Sequence, residues 1–270
     1  MSTLSADGMT IAYDDEGSAT APVLVLVHGH PFDRSMWRPQ LDRLATESWR
    51  VIVPDLRGYG ETTVVPGKTP LETFARDIIG LLDRLGVERF VLGGLSMGGQ
   101  IVMEIHRQVP DRIRGLLLAD TAPWAETKDG RRSRNALADR LLGEGIQSYA
   151  EEVLPKMVAP STIERLPAVA EHVFGMMLGT SPEGAAAALR GRAERPDYAE
   201  SLAGAAVPVL IVVGSEDEFT PVEDARLMHK LIPHSTLVVI DGCGHMPNLE
   251  RPAEFNDALC AFLDVISEEQ

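Results

Sequence analysis

Six short runs of apolar residues are the feature of this sequence that most limits what it can fold into. The runs are rich in valine, isoleucine and leucine and do not alternate with polar residues. Runs of this kind are typical of strands buried on both faces, as in a parallel sheet covered by helices. We therefore predict strands over residues 23–27, 51–53, 90–92, 116–119, 209–213 and 237–240.

The segments between these runs have the spacing of helices. Apolar residues recur every three to four positions over residues 71–85, and Gly86 follows where a helix end is expected. Thr69 and Thr220 each precede a proline and a glutamate, a pattern that predicts helix N-caps at both threonines. A last helix is predicted over residues 255–266. Because strands and helices alternate, we predict an α/β fold with a mostly parallel sheet flanked by helices.

One long stretch interrupts this alternation. Between Asp120 and Val207 the sequence shows helical patterns and several prolines but no strand pattern. We interpret the stretch as a helical cap inserted between two strands of one sheet. The chain then divides into a core of residues 1–121 and 206–270 and a cap of residues 122–205.

The charge of the chain excludes several classes of partner. Its 270 residues include 40 Asp and Glu against 25 Lys and Arg, a formal net charge of −15. Such a charge repels nucleic acids and anionic lipid surfaces. No apolar run approaches the ~20 residues of a membrane-spanning helix, and the first residues lack the basic and apolar regions of a secretion signal. We expect a cytoplasmic globular protein that binds neither nucleic acid nor membrane.

Patterns that could indicate a metal or a nucleotide fail on their spacing. Cys243 and Cys260 belong to no metal-ligand pattern. His28, His30 and Asp33 resemble the start of the H-x-H-x-D-H metal motif, but arginine follows Asp33. The glycine-rich segment near residue 96 lacks the lysine of a phosphate-binding loop. We therefore predict no metal and no cofactor.

The clearest chemical motif is a G-x-S-x-G pentapeptide. It reads Gly94-Leu95-Ser96-Met97-Gly98 and lies between a predicted strand and a helical segment. A sharp turn there would present the Ser96 hydroxyl at the edge of the sheet, and it needs small residues on both sides of the serine. Ser96 is therefore a candidate nucleophile.

A serine nucleophile needs a base and an acid that orients the base. His245 is the candidate base because it lies in a glycine-rich loop after the predicted strand 237–240. Asp217 is the candidate acid, after strand 209–213, with Glu216, Glu218 and Asp120 as alternatives. The backbone N–H groups of Met97 and of His30, in the loop after strand 23–27, are candidate oxyanion donors.

Apolar side chains of the predicted cap and its junctions are candidates for a substrate pocket. Methionine adapts to irregular surfaces and aromatic rings bury large areas, so the pocket would accept medium acyl or aryl groups. A basic group at Arg131, Arg132 and Arg134 either attracts a carboxylated lactone or forms a solvated helix face. The candidate pocket residues are Phe32, Trp124, Met157, Phe174, Met177 and Met246, and the alternative for each is packing in the core that joins the cap to the sheet.

Several motifs together resemble the α/β-hydrolase superfamily. They are His28-Gly29-His30-Pro31, Asp55 to Gly60, Gly94 to Gly99, Gly214 to Asp217, and Gly244-His245 followed by Pro247 and Glu250. Within the superfamily the chain resembles the group of 3-oxoadipate enol-lactonases and small carboxylesterases. The resemblance implies hydrolysis of a carboxylic ester or lactone, a small-molecule substrate, and a nucleophile, acid and base in the chain order serine, aspartate, histidine.

The sequence is also compatible with other activities known on this fold. A cofactor-free perhydrolase or haloperoxidase would use the same three residues, and a ligand-sensing receptor would keep them without turnover. Carbon–carbon bond hydrolases are a further alternative, although Met246 follows His245 where those relatives tend to have tryptophan. The sequence does not predict an oligomeric state.

Overall fold

The computed structural model describes residues 1–6, 8–45 and 48–268. The described residues form one eight-stranded sheet in the order β1-β2-β4-β3-β5-β6-β7-β8. β1 and β2 pair antiparallel, β2 is also antiparallel to β4, and the other neighbours are parallel. The strands are β1 (Ser2–Ala6), β2 (Met9–Glu16), β3 (Val23–Val27), β4 (Arg50–Pro54), β5 (Phe90–Leu95), β6 (Ile113–Ala119), β7 (Val209–Gly214) and β8 (Ser235–Ile240).

The helices begin and end as follows. They are α1 (Arg38–Leu44), α2 (Leu71–Arg84), α3 (Met97–Gln108), α4 (Lys128–Glu144), α5 (Gln147–Met157), α6 (Pro160–Arg165), α7 (Pro167–Gly179), α8 (Pro182–Arg192), α9 (Ala199–Ala203), α10 (Val222–Leu231), α11 (Pro247–Glu250) and α12 (Pro252–Glu268). Single turns of 3₁₀ helix cover Arg34–Trp37 and Pro110–Arg112. Within the described chain, no helix is both long enough and apolar enough to cross a membrane.

The central strands are buried on both faces, which explains their uniformly apolar sequences. On β3, Val25 packs into one apolar cluster with Phe74 of α2 and Ile101 of α3. Its neighbour Leu24 points to the opposite face and joins the cluster that contains Phe255 of α12. Successive residues therefore serve two layers of helices, and the predicted α/β fold with its mostly parallel sheet is confirmed.

All six predicted strands are present, but β1 and β2 were not predicted. β2 is buried only in its middle, and its flanking residues are partly exposed. Its sequence mixes polar and apolar residues, as antiparallel strands near a sheet edge commonly do. A search for uniformly apolar runs does not detect such strands.

The two predicted N-caps are wrong, whereas the predicted helix stop is right. α2 and α10 each begin one residue after the proline, and neither start has a side-chain cap. The Thr220 hydroxyl instead donates to the carbonyl oxygen of Asp120 at 3.0 Å, so it joins the start of α10 to the end of β6. Gly86 ends α2 with a φ of 68°, a conformation that glycine adopts readily.

Residues 122–205 contain α4 to α9 and no strand, in a stretch that is described throughout. α8 lies directly against loops of the sheet domain through two glycines. A Cβ on Gly184 would lie 2.0 Å from the carbonyl oxygen of Gly58, and one on Gly191 would lie 1.7 Å from that of Thr69. α8 thus meets these loops at two points where the backbones are too close to admit a side chain.

Candidate active site

A sharp turn between β5 and α3 carries Ser96. Its φ of 57° and ψ of −116° lie in a region that residues with side chains rarely adopt. A Cβ on Gly94 would lie 2.4 Å from the carbonyl carbon of Gly98, and one on Gly98 would lie 2.2 Å from the carbonyl oxygen of Val27. The prediction that small residues must flank the serine is confirmed.

His245 and Asp217 form a buried pair in the loops that follow β8 and β7. The ring Nδ1 of His245 lies 2.8 Å from Oδ2 of Asp217, and Oδ1 of Asp217 accepts a hydrogen bond from the Phe219 N–H. Burial by itself would raise the pKa of Asp217, but the neighbouring His245 holds it below its usual value. A proton on Nδ1, directed at Asp217, would leave the lone pair of the His245 ring on Nε2. The alternative acids Glu216 and Glu218 are exposed.

A third acid, Asp120, lies beside this pair. Oxygen atoms of Asp120 and Asp217 and a ring nitrogen of His245 all lie within 4.8 Å of one another. Oδ1 of Asp120 accepts a hydrogen bond from the Gly214 N–H at 2.9 Å, while Oδ2 has no partner among the described residues. Burial, with the negative charge of Asp217, raises the pKa of Asp120 well above its ordinary value. The group therefore consists of a hydrogen-bonded Asp217–His245 pair and a second carboxyl group whose ionisation is opposed by burial and by the charge of Asp217.

Glu250, at the end of α11, organises the loop around His245. The sequence motifs assigned no role to this residue, although it lies only a few positions after His245. It is buried, and burial raises its pKa. Its oxygens accept hydrogen bonds of 2.8 Å from Ala159 N, 2.7 Å from Thr162 Oγ1, 2.9 Å from Gly244 N and 3.3 Å from Met246 N. Glu250 thus joins both sides of the His245 loop to the start of α6.

The two predicted oxyanion donors belong to backbone segments that contact the Ser96 turn. Met97 is the first residue of α3, where N–H groups have no partner within the helix. The loop after β3 passes against the turn, since a Cβ on Gly29 would lie 3.3 Å from the Cβ of Ser96. His30 follows in this loop, is buried, and precedes Pro31 through a cis peptide bond.

A cavity of about 530 Å³ is lined by Ser96, His245 and Asp120. Two of the six predicted pocket residues, Trp124 and Met157, also line it. The other four do not, because their side chains pack in the apolar core between the sheet and the inserted helices. These four are Phe32, Phe174, Met177 and Met246. Aromatic and methionine side chains suit a core as well as a pocket, so their chemistry alone did not distinguish the two.

Three arginines line the cavity, and the sequence indicated only one of them. Arg134 of α4 and Arg195, beyond α8, both donate to the carboxylate of Glu126. Arg192, the last residue of α8, lies in an alanine-rich segment that gave no sign of which side faces a site.

The other members of the basic group lie outside this cavity. The side chains of Arg131 and Arg132 are exposed, and Arg132 pairs with Asp129. The solvated-face alternative therefore holds for these two residues, while Arg134 points to the site.

The fold and this site agree with a known family. A family model described as "Alpha/beta hydrolase family" matches residues 24–258. The chain belongs to the alpha/beta hydrolase family. The match covers most of the sequence, from β3 to α12, and includes all the residues of the Ser96 turn and both loops of the acid–base pair.

Individual alpha/beta hydrolases resemble this chain over nearly its whole length. "3-oxoadipate enol-lactonase 2" of Acinetobacter baylyi is 29% identical over 261 residues, 97% of this chain and 96% of that protein. A thermophilic esterase from Thermogutta terrifontis, solved with malate bound, has 39% identity and a TM-score of 0.93, covering 98% of this chain and 97% of that one. The enol-lactonase from Burkholderia xenovorans LB400 has 28% identity and a TM-score of 0.90, covering 97% of this chain and 100% of that one. The predicted resemblance to enol-lactonases and small esterases is confirmed.

Proposed function

We propose that this alpha/beta hydrolase cleaves a carboxylic ester or a lactone with Ser96 as nucleophile, through an acyl-enzyme. The observation that carries the proposal is that Ser96 and the paired His245 border the same cavity. The names of the esterase and enol-lactonase relatives support these two substrate classes over others known on the fold.

In the first half of the proposed reaction, His245 Nε2 takes the proton of Ser96 as its oxygen attacks the carbonyl carbon. The N–H groups of His30 and Met97 stabilise the negative oxygen that forms. His245 then gives the proton to the leaving alcohol oxygen, and an acyl-enzyme remains. With a lactone, the alcohol stays attached to the acyl chain.

In the second half, His245 removes a proton from a water molecule that attacks the acyl-enzyme. It then gives this proton to the Ser96 oxygen as the bond between Ser96 and the acyl group breaks and the carboxylic acid leaves. Asp217 accepts the Nδ1–H of His245 throughout, which fixes the tautomer and stabilises the imidazolium. In the described part of the chain the Ser96 hydroxyl has no hydrogen-bond partner, and catalytic hydrogen bonds of this type commonly tighten only when substrate binds. The proposed steps use residues of this chain and water.

We also assign residues 122–205 the role of a cap that shapes the substrate site. Trp124, Tyr149, Met157 and Arg192 come from this segment and line the cavity together with Ser96. The core would thus supply the reacting groups and the inserted helices would supply the surface that selects a substrate.

Replacing Ser96 with alanine tests the proposed nucleophile. We expect Ser96→Ala to lower kcat for 4-nitrophenyl esters or an enol-lactone by up to about 10⁶-fold, the scale seen when a serine nucleophile is removed. The release of 4-nitrophenolate, or the loss of the enol-lactone absorbance, measures the rate.

The matched control is Ser267→Ala on α12, whose hydroxyl donates to the carbonyl oxygen of Leu263. This variant should keep the wild-type rate. A fluorophosphonate probe should label the wild-type protein on the peptide that contains Ser96 and should not label Ser96→Ala. Near-full activity of Ser96→Ala, or labelling at another residue, would contradict the proposal.

A further inference from the structure

Arg192 is a buried arginine that faces the cavity without a carboxylate partner. The residue is only 8% exposed and lines the same cavity as Ser96. Within the described residues its one hydrogen bond runs from Nε to Oε1 of Gln100, at 3.1 Å. That bond occupies one edge of the guanidinium and leaves Nη1 and Nη2 without an acceptor from the described chain.

The charges near Arg192 do not balance it. Arg134 and Arg195 share the single carboxylate of Glu126, so three guanidinium groups have one anion among them. The other acidic residues that line the cavity, among those described, form no ion pair with Arg192; they are Asp120, Glu152 and Asp224. Burial, followed by the charges of Arg134 and Arg195, lowers the pKa of Arg192. A buried cation is costly in this setting unless an anion joins it.

Two neutral groups beside Arg192 are also able to donate. Tyr149 lines the cavity, and its hydroxyl has no partner among the described residues. The buried Nε2 of His30 is likewise unpartnered there, while its Nδ1 lies 2.7 Å from the Tyr59 hydroxyl. Burial, with the nearby charges of Arg192 and Arg134, lowers the pKa of His30, so its ring is neutral at pH 7. When the Tyr59 hydroxyl donates to Nδ1, the ring proton of His30 is on Nε2, which has no acceptor among the described residues.

We propose that Arg192, assisted by Tyr149 and His30, binds an ionised carboxylate of the substrate. The inference rests on the proposed function of Ser96. It assigns the substrate class more narrowly, as an ester or lactone that carries a carboxylate close to the bond that is cleaved.

Gln100 links Arg192 to the Ser96 turn. The Gln100 N–H donates to the carbonyl oxygen of Ser96 at 3.2 Å, and its Oε1 accepts a hydrogen bond from Arg192 Nε at 3.1 Å. Because Arg192, Gln100 and Ser96 all line one cavity, a substrate group held by the guanidinium lies in the same space that the nucleophile borders.

A carboxylate fits this site better than a more highly charged anion. The planar guanidinium offers two parallel donors that match the two oxygens of a carboxylate. One unpaired guanidinium also matches one negative charge, in a chain whose net charge of −15 disfavours a dianionic group.

Pairs of esters that differ only in one charged group test this inference. In the first pair, mono-4-nitrophenyl adipate carries a carboxylate on the acyl side and 4-nitrophenyl hexanoate is uncharged. In the second pair, 4-acetoxybenzoate carries a carboxylate on the alcohol side and 4-acetoxybenzamide is uncharged. We expect wild-type kcat/KM to favour the anionic member of at least one pair by about 10- to 100-fold, the usual range for a hydrogen-bonded charge pair.

The variant Arg192→Met removes the guanidinium and keeps an unbranched side chain of similar reach. It should lose most of the preference for the anionic ester, measured as the ratio of the two kcat/KM values within each pair. Arg190→Met is the matched control, since Arg190 lies on the same helix and pairs with Asp139 outside the cavity. Its preference should equal that of the wild type.

A measurement on the wild type alone covers the case in which Arg192→Met does not fold. Adipate should inhibit hydrolysis of 4-nitrophenyl hexanoate competitively, and 1,6-hexanediol should not. Equal kcat/KM within both ester pairs, with no inhibition by adipate, would overturn the carboxylate site and leave the proposed hydrolase intact. Loss of the hydrolase itself would appear differently, as failure of the wild type on every ester or as full activity of Ser96→Ala.

Discussion

Asp120 and Asp217 are two carboxyl groups in one buried site, and only Asp217 is paired with a base. Two adjacent carboxylates cannot both ionise cheaply away from water, so the pair shares its charge unequally. The hydrogen bond to His245 decides which acid keeps the charge. We therefore expect Asp120 to hold a proton, for which its unpartnered Oδ2 is available, and to border the cavity as an uncharged group.

This assignment predicts a pH-dependent effect of Asp120→Asn on stability. The folded pKa of Asp120 is raised, so the acid lowers the free energy of unfolding increasingly as the pH rises above its unfolded pKa of about 3.9. Asparagine cannot ionise. We therefore expect Asp120→Asn to exceed the wild type in free energy of unfolding at pH 8 and to approach it near pH 4.

Urea unfolding at several pH values measures this difference. Asp257→Asn, on the exposed side of α12, is the control and should change stability little at any pH. Asp217 has the opposite sign, because its folded pKa is lowered: its contribution is present above the unfolded pKa and is lost as the pH falls through the folded pKa. A constant gap between Asp120→Asn and the wild type from pH 4 to pH 8 would contradict a neutral Asp120.

The Ser96 turn depends on how closely α3 approaches β3. Gly98 lies in the first turn of α3 and packs against the carbonyl oxygen of Val27, which is backbone and cannot move aside as a side chain would. We expect Gly98→Ala to lower the free energy of unfolding by about 1–3 kcal/mol or more, as overpacking does, and to abolish esterase activity. Thermal unfolding and ester turnover measure the two effects.

A helical glycine with free space around it provides the comparison. Gly143 in α4 has nothing within 4 Å of its would-be Cβ. Gly143→Ala should raise the free energy of unfolding by about 0.4–1 kcal/mol, because alanine is less flexible in the unfolded chain. If both alanine variants changed stability alike, the close packing at Gly98 would not be the cause.

Some elements of this fold could be predicted from the sequence and others could not. Strands such as β3 and β7 are buried on both faces, so their residues are all apolar or small. Their own sequence is therefore enough to predict them as strands. The hydrogen bond of Thr220 could not be predicted in this way. Its hydroxyl donates to Asp120, a hundred positions away along the chain, instead of capping α10. Local pattern could indicate that a helix begins there but not which partner the hydroxyl takes.

Some residues of the candidate site could likewise be placed from the sequence and others could not. Ser96, Asp217 and His245 each follow a recognisable strand, and the carboxyl ends of parallel strands meet at one edge of a sheet. Their proximity could therefore be inferred from the order of strands and motifs along the chain. Arg192 lies at the end of an alanine-rich helix, and its direction is set by the glycine contacts that seat α8 on the core, which no local pattern reveals.

For the whole molecule, the net charge of −15 opposes the approach of an anionic substrate that the cavity would hold. Salt screens this long-range repulsion, with a Debye length that falls from about 30 Å at 0.01 M to about 8 Å at 0.15 M, but screens a buried contact much less. We therefore expect wild-type kcat/KM for mono-4-nitrophenyl adipate to rise as NaCl increases from about 0.01 to 0.15 M.

The uncharged hexanoate ester is the control and should show no such rise. Arg192→Met should keep the salt dependence with adipate monoester, because the variant changes the short-range contact and hardly changes the total charge. A fall in wild-type kcat/KM with added salt would mean that the arginines, and not the acidic surface, govern the approach.

The origin of the cavity wall in two separate parts of the chain has a consequence for how the gene can change. Ser96, Gln100, Asp120 and His245 come from segments that flank the sheet strands, whereas Arg192 and its neighbours Arg134 and Tyr149 come from the inserted helices. Mutations confined to the codons of residues 122–205 can therefore change the side chains of this part of the wall while Ser96, Asp217 and His245 stay unaltered. If the proposed function holds, such mutations change which substrates bind without changing the groups that react.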